Sequence, residues 1–379
     1  MIAILGIGYA GAATAWALAR RGHGSRVVLV DVEPAPGRHA SGRNAGLIAS
    51  MLEDDPVMEV MAARGSALIA GFRAFLPCGS LRLAGDEGLV EAWRARARRD
   101  GVTMKVEATR EAARSHPLLE GAASRWALRF PTDGVVDPAA LCETYVRDAA
   151  ERGVRVVTGC RVDGLAFGCG RLNGIETSEG KIRADWVVNA AGAWAGDLGE
   201  RLGQGGLQAM KLQPYRRHIF ESPVRADLDP SWPFVWDLAA DVYARVQKDR
   251  LVTCACDADP QPAGTPDVSP AARRDLEMKM KAALPAAASY GFEGGRACLR
   301  TFAPDRRYVI GPDARLPGFF WVAGLGGTGA TAGAAIGELA ADLLLTGGEG
   351  GMDWTREAAR WFDPARLTGG GPGGQAEGV

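Results

Sequence analysis

Three glycines, Gly6, Gly8 and Gly11, and one acid, Asp31, are the first residues of this 379-residue chain whose types and spacing could do chemistry. In "ILGIGYAG" the first glycine permits a tight turn, the second lets the backbone approach a pyrophosphate, and the third lets a helix pack on a strand. A carboxylate twenty residues past Gly11 can accept hydrogen bonds from both ribose hydroxyls and would repel a 2'-phosphate. The chemistry within reach of this set is capture of a dinucleotide at a helix start.

The elements that must position these groups can be read around them. A strand over residues 2–5, the glycine turn, an amphipathic helix over residues 12–21 and a second strand, "RVVLVD", ending at Asp31 form half of a Rossmann unit. A secretory signal would need a basic residue ahead of the apolar run, and none is there. A membrane helix would need about 20 apolar residues, and each glycine inside it would cost about 1 kcal/mol relative to alanine. The opening stretch therefore reads as a nucleotide fold and no membrane span is expected.

Composition narrows the class further. A hydrophobic fraction of 47% with 23% charged residues is ordinary for a globular protein. A net charge of -1 argues against a nucleic-acid partner. The cysteines at 78, 142, 160, 169, 254, 256 and 298 are odd in number and include no CxxC pair, so neither a disulfide framework nor a zinc site is indicated and a reducing cytoplasm is the expected location. Cys254 and Cys256 would share one strand face, where two small buried side chains are the simplest reading. His23, His39, His116 and His218 show no metal-ligand spacing.

After Asp31 comes "VEPAPGRHASGRNAGLI", in which Ser41, Gly42, Arg43, Asn44, Ala45 and Gly46 form a glycine-flanked loop able to lie close to a flat or anionic ligand. With this loop the chain resembles the D-amino acid oxidase superfamily of FAD-dependent oxidoreductases. Further segments carry the resemblance. "DGVVDPAALCETYVRDAAERGVRVVTGCRVDGL" reads as a helix feeding a strand, and the resemblance implies that Val162 meets the adenine through its backbone. "WVVNAAGAWAGDLG" is a buried strand ending in small residues, with Ala191, Gly192 and Trp194 at the cofactor edge. "GFFWVAGLGGTGATAG" is a strand, a loop through Gly324, Gly326, Gly327, Thr328 and Gly329, and a helix whose free amides could stabilise negative charge on a reduced flavin. FAD is thus expected rather than NAD, held noncovalently.

The fold expected is mixed α/β (α+β): a Rossmann-like FAD-binding domain with a second, substrate domain built on an antiparallel sheet. The FAD domain would be discontinuous, over residues 1–50, 133–205 and 296–346, with the substrate domain in 51–132 and 206–295 and a C-terminal extension in 347–379. The glycine-rich tail after Leu367 is expected to be disordered.

Within the superfamily, "MKLQPYRRHIF", "WPFVWDLAADVYARV" and "CLRTFAPDRRYVIGPD" are similar to the D-arginine dehydrogenases and their broad-specificity D-amino acid relatives, and next to the sarcosine oxidases. The resemblance implies hydride transfer from the substrate α carbon to the flavin, giving an imine and then a 2-keto acid. It implies Arg300 as the clamp for the substrate carboxylate, a role that a planar guanidinium suits, and Tyr243 as a cap over the substrate. In "YRRHIF" Arg216 and Arg217 must point to opposite faces of a strand, so only one of them can face the pocket.

Departures from the pattern sharpen the expectation. Leu47 and Leu52 stand where D-arginine dehydrogenases place a histidine and a tyrosine, which with Phe234 and Trp236 favours an apolar or aromatic side chain over a cation. Val252 stands where sarcosine oxidases carry the oxygen-activating lysine, which favours a dehydrogenase with another electron acceptor. Cys298 matches the position of covalent flavin attachment in sarcosine oxidases, whereas the D-amino acid relatives have glycine there. A secondary-amine oxidase, a 2-hydroxyacid dehydrogenase of the same fold, a flavin-bearing RNA-modification component and a noncatalytic FAD scaffold are the competing readings.

Overall fold

The computed structural model describes residues 1–52, 55–168, 171–202, 210–347 and 353–368. The glycine-rich tail expected to be disordered lies outside the described residues.

A six-stranded sheet runs in the order Val309–Pro312, Phe319–Ala323, Trp186–Asn189, Ile2–Leu5, Val27–Val30, Arg155–Val157. All neighbours are parallel except Val309–Pro312, which pairs antiparallel with Phe319–Ala323. The central strands are apolar without alternation because both faces are covered. On one face lie helices Tyr9–Arg20, Pro138–Ala150 and Gly329–Thr346, whose buried Ala, Trp and Leu residues share one core with Ile4, Val27 and Val188. Gly337 lets two of these helices touch, since a Cβ there would lie 2.3 Å from the Ala13 carbonyl oxygen. The first helix starts at Tyr9, three residues before the sequence suggested, because the Gly6–Gly8 turn closes at once.

The mixed α/β fold is present, and packing redraws its internal boundaries. Helix Pro56–Ile69, expected in the substrate domain, buries Met58, Met61 and Ile69 in the nucleotide core. Its Gly65 lies so close to helix Gly329–Thr346 that a Cβ would fall 2.1 Å from the Thr331 carbonyl oxygen. Conversely strand Gly294–Phe302, of which residues 296–302 were expected within the FAD segments, pairs along its full length with Gln213–Glu221 and so belongs to the second sheet. Val162 opens an antiparallel meander of Val162–Gly168, Arg171–Thr177 and Gly180–Arg183 beside the main sheet.

That second sheet has nine strands and forms a roof over the nucleotide layer. Its neighbours are antiparallel except Ser80–Ala84 with Phe234–Asp237. Period-two alternation divides its faces. Val242, Ala244 and Val246 pack outward against Leu276 and Met280 of helix Pro270–Ala283. Tyr243, Val252, Cys254 and Ile219 instead form a cluster with Ala45, in the loop below. One further link joins the layers. Arg82 and Asp133, both 0% exposed, lie 2.7 Å apart, and Asp133 also accepts hydrogen bonds from Ser50 and Ser80.

Candidate active site

The nucleotide cradle is built from backbone. Gly6 has φ +106°, and a Cβ there would meet the Ala190 carbonyl oxygen at 2.5 Å. At Gly11 a Cβ would fall 1.9 Å from the Gly6 oxygen, which is why the turn and helix can close on each other. No side chain caps the helix start at Gly8, no acid sits in its first turn, and among the described residues the amides of Ala10 and Gly11 have no acceptor. Such a terminus suits a phosphate. Asp31 accepts the Ile7 amide at 2.7 Å and the Glu33 amide at 2.8 Å, which fixes its carboxylate at the strand end with lone pairs to spare for hydroxyl donors. Beside it, Glu33 hydrogen-bonds His39 at 2.8 Å, and the His39 ring meets Trp194 edge-on. The Ala191 amide donates to the Oδ1 of the buried Asn189 at 3.3 Å, and Gly192 takes φ +56° where the chain leaves the strand.

The loop after Asp31 is locked by Asn44. Its amide group donates to the carbonyls of Ala40 and Ser41 and accepts from Gly46, while the Ser41 hydroxyl accepts from the Tyr9 amide at 2.9 Å. Arg296 reaches down from the roof to the Arg43 carbonyl. Gly46, at φ +64°, lies where a Cβ would collide with the Val136 oxygen. Residues Ala40–Arg43, expected as loop, form one helical turn, and these contacts hold the segment from Ser41 to Gly46 against the helix start. Opposite it, Gly324, Gly326 and Gly327 all take positive φ before helix Gly329–Thr346. Thr328 spends its hydroxyl on Leu325 and Tyr308, so what it offers a ligand is backbone.

Above the two loops the roof presents polar groups on an otherwise apolar face. Arg300 lies over Gly327, and a Cβ at that glycine would come 2.8 Å from the guanidinium carbon. Register puts Arg217 opposite Cys298 and Tyr215 opposite Arg300, so Arg217 and Arg300 share one face and sit diagonally. Arg217 is buried beside Cys254, Cys256 and Tyr243. Arg216 points to the other face and ion-pairs with Asp259 at 3.0 Å. Of the two, Arg217 is the one on the face that carries Arg300 and Tyr243. Neither Arg217 nor Arg300 has a carboxylate partner within ion-pair distance among the described residues.

Around this pair, burial pushes the Tyr243 hydroxyl well above its usual pKa. Burial also opposes ionisation of Cys254, yet hydrogen bonding with Cys256 and the charges of Arg217 and Arg300 bring its thiol down to about 6. Cys298 is buried and its thiol is raised by that burial. Trp236 meets Tyr243 edge-on and donates to Asp241. Leu47 packs between Trp236 and Phe234, Leu52 joins the Phe234 side, and Val252 is fully buried on the same face.

One residue of this face was missed from the sequence. Arg245 stands two positions after Tyr243 on strand Val242–Gln247 and is 3% exposed. Its Nη1 donates to the Val136 oxygen at 3.1 Å, while Nε and Nη2 have no partner. Burial, then the nearby Arg296, lowers its pKa to about 10. The period-two spacing from Tyr243 was the available signal.

Among the described residues no helix is long and apolar enough to cross a membrane. Comparison with known proteins gives a matching family model, "FAD dependent oxidoreductase", over residues 1–343. Human mitochondrial sarcosine dehydrogenase is 26% identical over 371 residues, covering 91% of this chain and 40% of the relative. The 4-methylaminobutanoate oxidase of Paenarthrobacter nicotinovorans is 26% identical, covering 73% of this chain and 35% of the relative. The chain thus spans about 40% of the length of the first curated relatives it matches. Among solved structures, L-proline dehydrogenase from P. horikoshii superposes with a TM-score of 0.85 at 22% identity, covering 97% of this chain and 98% of that one. With a family model matching residues 1–343, the chain belongs to the DAO family of FAD-dependent oxidoreductases.

Proposed function

We propose that this chain oxidises the carbon–nitrogen bond of a small amine bearing a carboxylate, an amino acid or an N-substituted amino acid, using noncovalently bound FAD. The observation that carries the reading is the pair Arg217 and Arg300, two guanidiniums on one roof face with no acid partner of their own. Arg217 is buried and Arg300 half-buried; withdrawing an unpaired cation from water is costly, and a substrate carboxylate would relieve that cost through bidentate hydrogen bonds. Gly6, Gly8, Gly11 and Asp31 would hold the adenosine and pyrophosphate, and the loops at Ser41–Gly46 and at residues 324–329 would border the ring.

When bound, the flavin supplies the acceptor for a hydride from a substrate carbon bonded to the amine nitrogen. The protein's part is orientation. Arg300 and Arg217 fix the acid group, and Tyr243, kept protonated by its burial, closes the pocket as a hydrogen-bond donor. Leu47, Trp236 and Ile219 line an apolar side, which favours an apolar substituent. Anchoring at the carboxylate holds the α hydrogen toward the floor.

Names among the relatives refer to sarcosine, 4-methylaminobutanoate and proline. All are secondary amines, and this supports an N-substituted amino acid ahead of the primary D-amino acid that the resemblance suggested. The buried Val252, in place of an oxygen-activating lysine, supports a dehydrogenase that passes electrons to an acceptor other than oxygen.

The test is anaerobic mixing of the FAD-loaded protein with D- and L-amino acids, N-methyl amino acids, cyclic imino acids and 2-hydroxy acids. Bleaching of the flavin band by an amine is expected. Reduction by a hydroxy acid and by no amine would refute the reading.

A further inference from the structure

Outside the carboxylate clamp, Arg245 is the least explained charge in the molecule. It is buried, it is cationic, and its Nε and Nη2 have no hydrogen-bond partner. No carboxylate lies within ion-pair distance of it among the described residues. Native proteins seldom bury an arginine in this way, because an unmatched guanidinium forfeits several kcal/mol of hydration. A ligand that brings negative charge to it would remove the anomaly.

Where Arg245 is anchored indicates which ligand. Its single hydrogen bond goes down to the Val136 oxygen, on the strand that pairs with Leu47–Ile48. That same oxygen is the atom a Cβ at Gly46 would strike, so the guanidinium stands over the end of the Ser41–Gly46 loop. Arg296, its cationic neighbour, contacts the Arg43 and Asn44 carbonyls of this loop. Arg245 is tied to the floor that borders the cofactor, whereas Arg217 and Arg300 face each other across Tyr215 and Cys298 in the roof.

We infer that Arg245 is a positioning residue for the cofactor: the buried cation that compensates the negative charge arriving on the flavin ring. Hydride transfer moves the hydrogen and the electron pair of a C–H bond next to the neutral amine nitrogen to the ring, so the substrate becomes an iminium cation and the ring is reduced with one added negative charge. A fixed guanidinium in a dry site favours the charged product over the neutral oxidised ring, because no solvent must reorganise. This rests on the FAD reading above and adds a residue to it.

The test uses the FAD-loaded protein and two readouts besides turnover. Sulfite adds through its sulfur lone pair to the oxidised ring, places negative charge on it and bleaches the visible band. The flavin midpoint potential reports the same balance. For Arg245→Met we expect sulfite binding at least tenfold weaker and a lower midpoint potential, a tenfold change in a two-electron equilibrium corresponding to about 30 mV. Arg245→Lys should recover most of both, and binding of a nonreactive carboxylate, read from flavin spectral perturbation, should change less than twofold in either variant. If Arg245→Met loses FAD, Arg245→Lys decides alone, by keeping sulfite affinity within threefold of wild type or failing to. A yellow Arg245→Met protein with wild-type sulfite affinity and potential overturns the inference, as does a selective loss of carboxylate binding. A wild-type protein that stays colourless with excess FAD would instead overturn the cofactor reading itself.

Discussion

The Arg300 guanidinium rests directly on the Cα of Gly327, close enough that a Cβ would stand 2.8 Å from its central carbon. Gly327 also takes φ +130°, which L side chains rarely adopt. The proposed substrate clamp and the loop proposed to border the cofactor therefore touch through one glycine. Gly327→Ala should push Arg300 aside and raise the substrate dissociation constant by roughly tenfold, about 1.4 kcal/mol. FAD retention should be nearly preserved. Rapid-mixing titration of flavin reduction would measure the first and the FAD-to-protein ratio the second.

Strand alternation sets Arg217 and Arg216 apart. Arg217→Ala removes a buried cation beside Tyr243 and should weaken substrate binding by about 10- to 100-fold, within the range for charged hydrogen bonds. Arg216→Ala breaks an edge ion pair with the exposed Asp259 and should alter binding less than about twofold. Comparable losses in both variants would contradict the assignment.

Asp31 is held by two backbone amides at the end of its strand, and we propose that it binds the ribose. Asp31→Ala should weaken FAD binding by at least roughly tenfold through loss of charged hydrogen bonds. Dialysis followed by absorbance at the flavin band would show it, and a fully yellow variant would count against the cradle.

Cys298 faces Arg217 across the strand pair and is buried, with its thiol kept protonated by that burial. Acid precipitation of the loaded protein should release all flavin into the supernatant, and Cys298→Ser should bind FAD unchanged. Flavin remaining on the pellet would mean a covalent bond.

His116 is buried, donates through Nε2 to the Pro233 oxygen at 2.8 Å, and has an Nδ1 with no partner. Burial lowers its pKa below the usual 6.5. The unfolded chain therefore takes up a proton first as pH falls, so stability should decline below about pH 6.5. His116→Gln, which keeps a donor for Pro233, should flatten that decline in thermal melts between pH 7 and pH 5.

Local signals explain what was legible in advance. The cradle at Gly6, Gly8, Gly11 and Asp31 lies within one strand, turn, helix and strand, so spacing alone specifies its geometry. Gly46 and the glycine run before helix Gly329–Thr346 were legible because their positive φ values need glycine, whereas the helical turn at Ala40–Arg43 was read as loop. Membership of the two layers was less so. Helix Pro56–Ile69 went to the nucleotide core because Gly65 could touch a helix far along the chain, a contact that periodicity does not encode.

By itself, then, the sequence determined a strand, glycine turn, helix and strand ending in Asp31, a mixed α/β fold and a strand carrying two neighbouring arginines. Only the tertiary structure decided that Arg217 is the inward one, that Gly294–Phe302 brings Arg300 beside it, and that Arg245 is buried without an acid. The reason is that a strand pattern gives two faces without saying which is inward. That choice is made by pairing between segments distant in the chain, where one step of register exchanges every side chain between core and pocket.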